Sequence, residues 1–202
     1  DRWLASRYAP VDQREKLIAL YALFLELERA IGASEPLLGR IRIQWWREVV
    51  DQIYSDEPVR EHDLALVLES VLVDRSDVRP TLDAMLDAFD DVVDKTENPD
   101  FPPRLETGAK LALAASLLID PEAAAHSEVI EDCGRAYVSS HTSSACASAR
   151  LDIAAAAFKS IPHHLAPAIS YVSIGHMYAQ NKPVNALSRR WKIFRAILTG
   201  RV

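Results

Sequence analysis

The chain has 202 residues, 49% apolar and 26% charged, with only 6 glycines, proportions that exclude collagen-like, disordered and glycine-rich β architectures. They predict a single domain over residues 1–202, large enough to remove about 70% of its unfolded surface from water. A net charge of −6 argues against a general nucleic-acid binder, which needs a basic footprint on phosphates, yet Lys159, Lys182, Arg189, Arg190, Lys192, Arg195 and Arg201 put +7 on residues 153–202 and leave −13 on residues 1–152. Apolar residues recur at three- and four-residue intervals and the prolines fall mostly between such runs, an all-α pattern. The first helix runs from about Val11 to Ile31, with Leu17, Leu20, Tyr21, Phe24, Leu27 and Ile31 as its stripe and Gly32 at its end. A second covers about Leu37 to Tyr54, a third Arg60 to Val73, and a fourth Pro80 to Lys95. Glu97 to Pro103, ENPDFPP, reads as a loop. Helices resume over about Arg104 to Ile119, Pro121 to Ala157 as one or two, Pro162 to Gln180, and Ala186 to Leu198.

The opening DRWLASRYAP lacks the apolar run of a signal peptide, and every long apolar run is broken by charge before it could span a bilayer. Cys133 and Cys146 match the spacing of neither a CxxC pair nor a zinc knuckle. The expectation is a cytoplasmic protein with reduced thiols. The cationic end reads either as a solvated helix face or as a docking surface for anionic lipid or an acidic partner, with Arg189, Arg190, Lys192 and Arg195 at its centre. That second reading predicts peripheral contact with the inner membrane.

Asp83, Asp87, Asp90 and Asp94 share one helix face, with Leu82, Met85, Leu86, Phe89 and Val93 opposite. Within it, Asp90, Asp91 and Asp94 spell DDxxD, the kind of carboxylate set that holds Mg²⁺ against a diphosphate. Amphipathicity alone also accounts for the face. No HxxxH or HExxH pair, GxSxG elbow or Gly-rich phosphate loop occurs, so zinc proteases, triad hydrolases and the common nucleotide enzymes drop out. In RIRIQWWREVVDQIY, Arg40 to Tyr54, adjacent tryptophans lie about 100° apart on a helix, so one enters the core and the other lines its edge. Ile41, Trp45 and Val49 read as a stripe there, bordered by Arg42, Gln44, Arg47 and Glu48. An apolar cleft bearing Tyr21, Phe24, Gln44, Trp45 and Arg47 would suit an isoprenoid or acyl tail.

Two blocks, LIALYALFLELERA at Leu17 to Ala30 and SEPLLGRIRIQWWREVV at Ser34 to Val50, resemble the FALYAF and GxxRLQWWRDxL helices of the squalene/phytoene synthases. GRA at Gly134 to Ala136 and LSRRWKIFRAILTGR at Leu187 to Arg201 add weaker likeness. The resemblance implies an all-α bundle of the isoprenoid-synthase type around a central apolar cavity. Active members of that family condense prenyl diphosphates head to head with Mg²⁺ held by two aspartate-rich motifs on facing helices. Aligned from Tyr21, the first motif falls on Glu28, Arg29 and Gly32. Aligned from GRA, the second falls on Val138, His141, Ser144, Ala145 and Ala149. Neither keeps its ligands, so the resemblance is to the degenerate branch that includes the complex I assembly factors. That implies no catalytic residue and no cofactor, and action by binding a protein partner, a lipid tail or a membrane surface. The competing expectation is an Mg²⁺-dependent prenyl transferase in which Asp90, Asp91 and Asp94 face a second acidic cluster at Glu128, Glu131 and Asp132.

Overall fold

The computed structural model describes residues 1–33, 35–55, 57–94, 103–141, 145–180 and 185–200. Among them every regular element is helical. α1 covers Arg2–Ser6, α2 Val11–Ile31, α3 Pro36–Ile53, α4 Asp63–Leu72, α5 Arg79–Val93 and α6 Pro103–Ile119. α7 covers Ser127–Ser139, α8 Ala145–Ala157, α9 Ala166–Ile169, α10 Gly175–Ala179 and α11 Ala186–Thr199. No helix of the described residues is long and apolar enough to cross a membrane.

Proline and short polar side chains set these boundaries. Pro36 and Pro80 stand in the first turns of α3 and α5, where a missing N–H is harmless and φ is already helical. The Asp120 carboxylate accepts from the Glu122 N–H at 2.9 Å and caps a 3₁₀ turn over Pro121–His126. Asn185 does the same for α11 through the Ser188 N–H at 2.7 Å, and Gly200, at φ 62°, closes that helix in the left-handed conformation glycine tolerates.

α6 organises the bundle. From Leu105 to Leu118 it is buried except at Glu106 and Lys110, as a helix apolar on every side must be. It packs on α5, on α2, on α9 and most extensively on α7. The α6–α7 crossing is made by glycine: a Cβ on Gly134 would stand 2.2 Å from the Gly108 carbonyl oxygen, and one on Gly108 2.3 Å from Val138 Cγ2. The GRA segment is therefore a packing device, bringing two backbones into direct contact. Around this pair, Leu17, Leu20, Leu23 and Leu27 of α2, Ile43 and Val50 of α3, Leu68 and Leu72 of α4 and Leu82, Met85, Leu86 and Phe89 of α5 join one continuous core.

Two expectations need correction, and one left open, whether Pro121 to Ala157 holds one helix or two, is resolved as two. Pro162 to Gln180 is not one helix but alternates a 3₁₀ turn at His163–Leu165, α9, a second 3₁₀ segment at Ser170–Ile174, and α10. Pro167 withholds an N–H, and the stretch 165–175 is wholly buried against α1, α6, α7 and α11, so tertiary packing dictates its path. Pro121 to Ala157 divides into the 3₁₀ turn, α7 and α8. On α3 the inward face is Gly39, Ile43, Trp46, Val49, Val50 and Ile53, while Ile41 is exposed. α1, a single turn, is an element the sequence pattern did not announce. The loop read at Glu97 to Pro103 lies almost wholly outside the described residues.

Candidate functional site

The first aspartate motif would sit at the C-terminal end of α2. There Glu28 is half-buried, Arg29 and Gly32 are exposed, and Arg29 forms an ion pair with Glu26 one turn earlier. Beside them opens a cleft of about 450 Å³ lined by Glu26, Arg29, Arg42, Trp45, Trp46 and His62. The two indoles meet edge to face at 4.7 Å between ring centres, and His62 packs against both, at 5.3 Å and 5.4 Å. Trp46 is buried and Trp45 half-buried, the division that their spacing on a helix predicts. Behind Trp45, Arg60 lies 5.5 Å over the ring and pairs with Glu48, which holds that carboxyl below the usual carboxylate range. The walls are thus aromatic, and the charges at the mouth are two arginines against one glutamate.

The acidic face of α5 meets a basic face of α3. Arg47 reaches Asp90 at 2.7 Å and Asp87 at 2.9 Å, Arg40 pairs with Asp94, and Arg79 ties Asp51 at 2.6 Å and Asp83 at 3.6 Å. Partial burial works to lower the Arg47 pKa, but its bonds to Asp90 and Asp87 outweigh that and raise it. Asp91 is exposed. The second acidic cluster is engaged as well. Arg135 of α7 donates to Glu106 of α6 at 2.7 Å and 3.0 Å, to Glu131 at 2.9 Å and to Asp132 at 2.9 Å, while Lys110 holds Glu131 at 2.6 Å. Bonding to Arg135 lowers the Glu106 pKa, and bonding to Glu106 raises that of Arg135.

At the second-motif positions, Val138 packs over Gly108, His141 stacks on Tyr178 at 4.4 Å and Tyr137 at 5.1 Å, and Ala149 is exposed on α8. Desolvation, and then the Arg2 charge, lower the His141 pKa. Ala145 opens α8, and Ser144 lies outside the described residues. Among the described residues no group of three or more His, Cys, Asp or Glu is placed to hold a metal ion. Of the positions on which the resemblance places Mg²⁺ ligands, Glu28 keeps a carboxylate, Arg29, Val138 and Ala149 offer no oxygen ligand, and Asp90 and Asp94 face guanidinium groups.

The residues grouped above as a cleft are not brought together. Tyr21 and Phe24 are core: the Tyr21 hydroxyl donates to the Ala168 carbonyl at 3.3 Å, and Phe24 meets Phe89 edge-on at 5.3 Å. Gln44 is exposed and bonds to Glu48, Arg47 belongs to the α3–α5 seam, and Trp45 alone of the five lines the cleft. A further polar constellation went unread in the sequence. The Arg2 guanidinium lies 4.5 Å from Phe24, 5.2 Å from Tyr137 and 5.4 Å from Tyr171, inside an aromatic cage. Next to it Asp1 accepts from Tyr137 at 2.8 Å and from Tyr178. A charged pair at the foot of a short helix, three tyrosines at remote positions and no intervening periodicity give no local signal. At the far end, Arg190 and Arg195 project from α11 into solvent, and Arg189 and Lys192 lie closer to the body.

This is an all-α bundle of the isoprenoid-synthase type, carrying the QWWR helix against an LYA helix. The chain belongs to the squalene/phytoene synthase family, whose model matches residues 1–107. A stretch of 57 residues is 39% identical to "NADH dehydrogenase (ubiquinone) complex I, assembly factor 6" of Bos taurus, covering 28% of this chain and 17% of that protein. No solved structure matches.

Proposed function

We propose that this chain is a family member that has given up head-to-head prenyl transfer and acts by binding, to a protein partner or to an isoprenoid or other lipid tail. The observation that carries the reading is Arg29. At a position where a metal pincer needs a carboxylate stands a cation paired with Glu26, beside a cleft whose mouth bears Arg29 and Arg42. Like charge repels Mg²⁺ there. The aromatic walls formed by Trp45, Trp46 and His62 suit a flat or apolar group instead. The stretch shared with the bovine assembly factor supports a role in protein assembly over one in synthesis. The same reading takes the chain as one cytoplasmic domain with the central apolar cavity that the family resemblance implies.

Incubation with farnesyl or geranylgeranyl diphosphate and Mg²⁺ is the test. No diphosphate release above a protein-free control is expected. Mg²⁺-dependent turnover sensitive to Asp90→Asn or Asp94→Asn would replace this reading with that of a prenyl transferase.

A further inference from the structure

α11 turns Ile193 and Ala196 into the core. On its opposite side Leu187, Trp191, Phe194 and Leu198 stand 77%, 62%, 40% and 67% exposed. Spaced i, i+4, i+7 and i+11, they fall within about 60° of arc on a 3.6-residue turn, so they form one outward stripe. On the same wheel Arg190 and Arg195 flank the stripe on its two sides, and both are exposed. The patch extends beyond the helix: the Tyr8 ring lies 6.2 Å from that of Phe194, which in turn lies 6.0 Å from that of Trp191. Neither α11 nor anything after Asp152 carries an acid.

A contiguous aromatic and aliphatic patch in water has a solvation cost that an occupant would relieve. The charges identify the occupant. A second copy meeting this face across a two-fold axis would set Arg190 and Arg195 against the same cations, which repel. An anionic bilayer takes every group at once: tryptophan and tyrosine at the headgroup level, leucine and phenylalanine below it, and arginine on lipid phosphates. We propose that α11 lies flat in the interface of an anionic lipid membrane, with Leu187, Trp191, Phe194 and Leu198 inserted and Arg190 and Arg195 on phosphates. This names the lipid surface as a partner within the binding reading and does not depend on whether prenyl transfer is lost.

The test uses the full chain with phosphatidylcholine vesicles, with and without phosphatidylglycerol, read by co-sedimentation and by quenching of tryptophan emission with brominated acyl chains. Binding is expected with phosphatidylglycerol and much less without it, weakening as salt shortens the screening length below about 10 Å. R190Q/R195Q should cut partitioning about thirty-fold, because each cation near an anionic surface contributes a factor of about five. W191S/F194S should cut it about ten-fold or more and abolish the bromine quenching. L66S, at an exposed leucine of α4, should change neither, and unchanged far-ultraviolet circular dichroism shows that the variants fold. No binding to anionic vesicles, binding indifferent to both double variants, or a dimer in sedimentation velocity that W191S/F194S dissolves would each overturn the proposal. Prenyl turnover would refute the loss of chemistry and leave the vesicle result standing.

Discussion

Two acidic surfaces, one on α5 and one at the α6–α7 seam, offered themselves in the sequence as the halves of a metal pincer, and they differ in what arginine does to them. On α5 the carboxylates stand at the rim, where Arg40, Arg47 and Arg79 reach them across water-exposed ground. At the α6–α7 seam Arg135 and Lys110 hold Glu106 and Glu131 largely out of solvent, above a crossing so close that only glycine fits. The first arrangement is a screened surface ladder that contributes little stability per pair; the second is a satisfied network whose members cannot be removed singly. On both surfaces arginine takes most of the carboxylates, and Asp91 and Glu128 stand exposed outside these pairs.

The largest effect expected is at Arg135. Arg135→Ala leaves Glu106 and Glu131 half-buried without the guanidinium that joins them, Lys110 still pairing with Glu131, and should cost about 3 kcal/mol in urea unfolding. A loss as small as that of a rim pair would erase the distinction between the two surfaces. Gly134→Ala should come close behind, at about 2 to 3 kcal/mol, because the new Cβ meets the Gly108 carbonyl rather than a movable side-chain tip. Much of this was hidden in the sequence. The α2 stripe, the start of α5 at Pro80 and the division of the two tryptophans between core and edge follow from local periodicity, and the structure has them within a residue or two, although that periodicity leaves open which tryptophan turns inward. The Glu106–Arg135 contact spans 29 positions and the Asp1–Tyr178 contact 177, and no local pattern encodes either. Ile41 misled because steps of four from it drift around the wheel: it stands about 200° from Gly39, opposite the line through Gly39, Ile43, Trp46 and Val50 that packs inward, and Gly39, lacking a side chain, hides that line from a count of apolar residues.

Acid titration separates the same two surfaces. Bonding to Arg135 lowers the Glu106 pKa in the folded state, so its contribution to stability is present above the unfolded carboxyl value near 4.3 and is lost as pH falls through the folded value. Unfolding free energy measured from neutral pH down to about pH 3 should therefore fall on the acid side. In Arg135→Gln that fall should shrink, since Glu106 would then titrate closer to its unfolded value. An acid limb identical in the variant would place the linkage elsewhere, at Asp77 beside Arg75 or Glu48 beside Arg60, carboxyls that an arginine also holds low.

The smallest effect belongs to the rim. Arg47→Ala should cost no more than about 1 kcal/mol, since its partners Asp87 and Asp90 are both more than a third exposed and water replaces the guanidinium. What it would change is charge. With Arg47 gone, Asp87 and Asp90 stand one helical turn apart without their shared cation, and like charges at that spacing repel. If the ladder's function is to neutralise α5, the variant should bind a divalent ion, Mn²⁺ by paramagnetic broadening, more tightly than the parent, although its stability barely moves. Equal Mn²⁺ broadening in parent and variant would mean that the aspartates never formed a latent site, and that the arginines of α3 serve only to register one helix against the next.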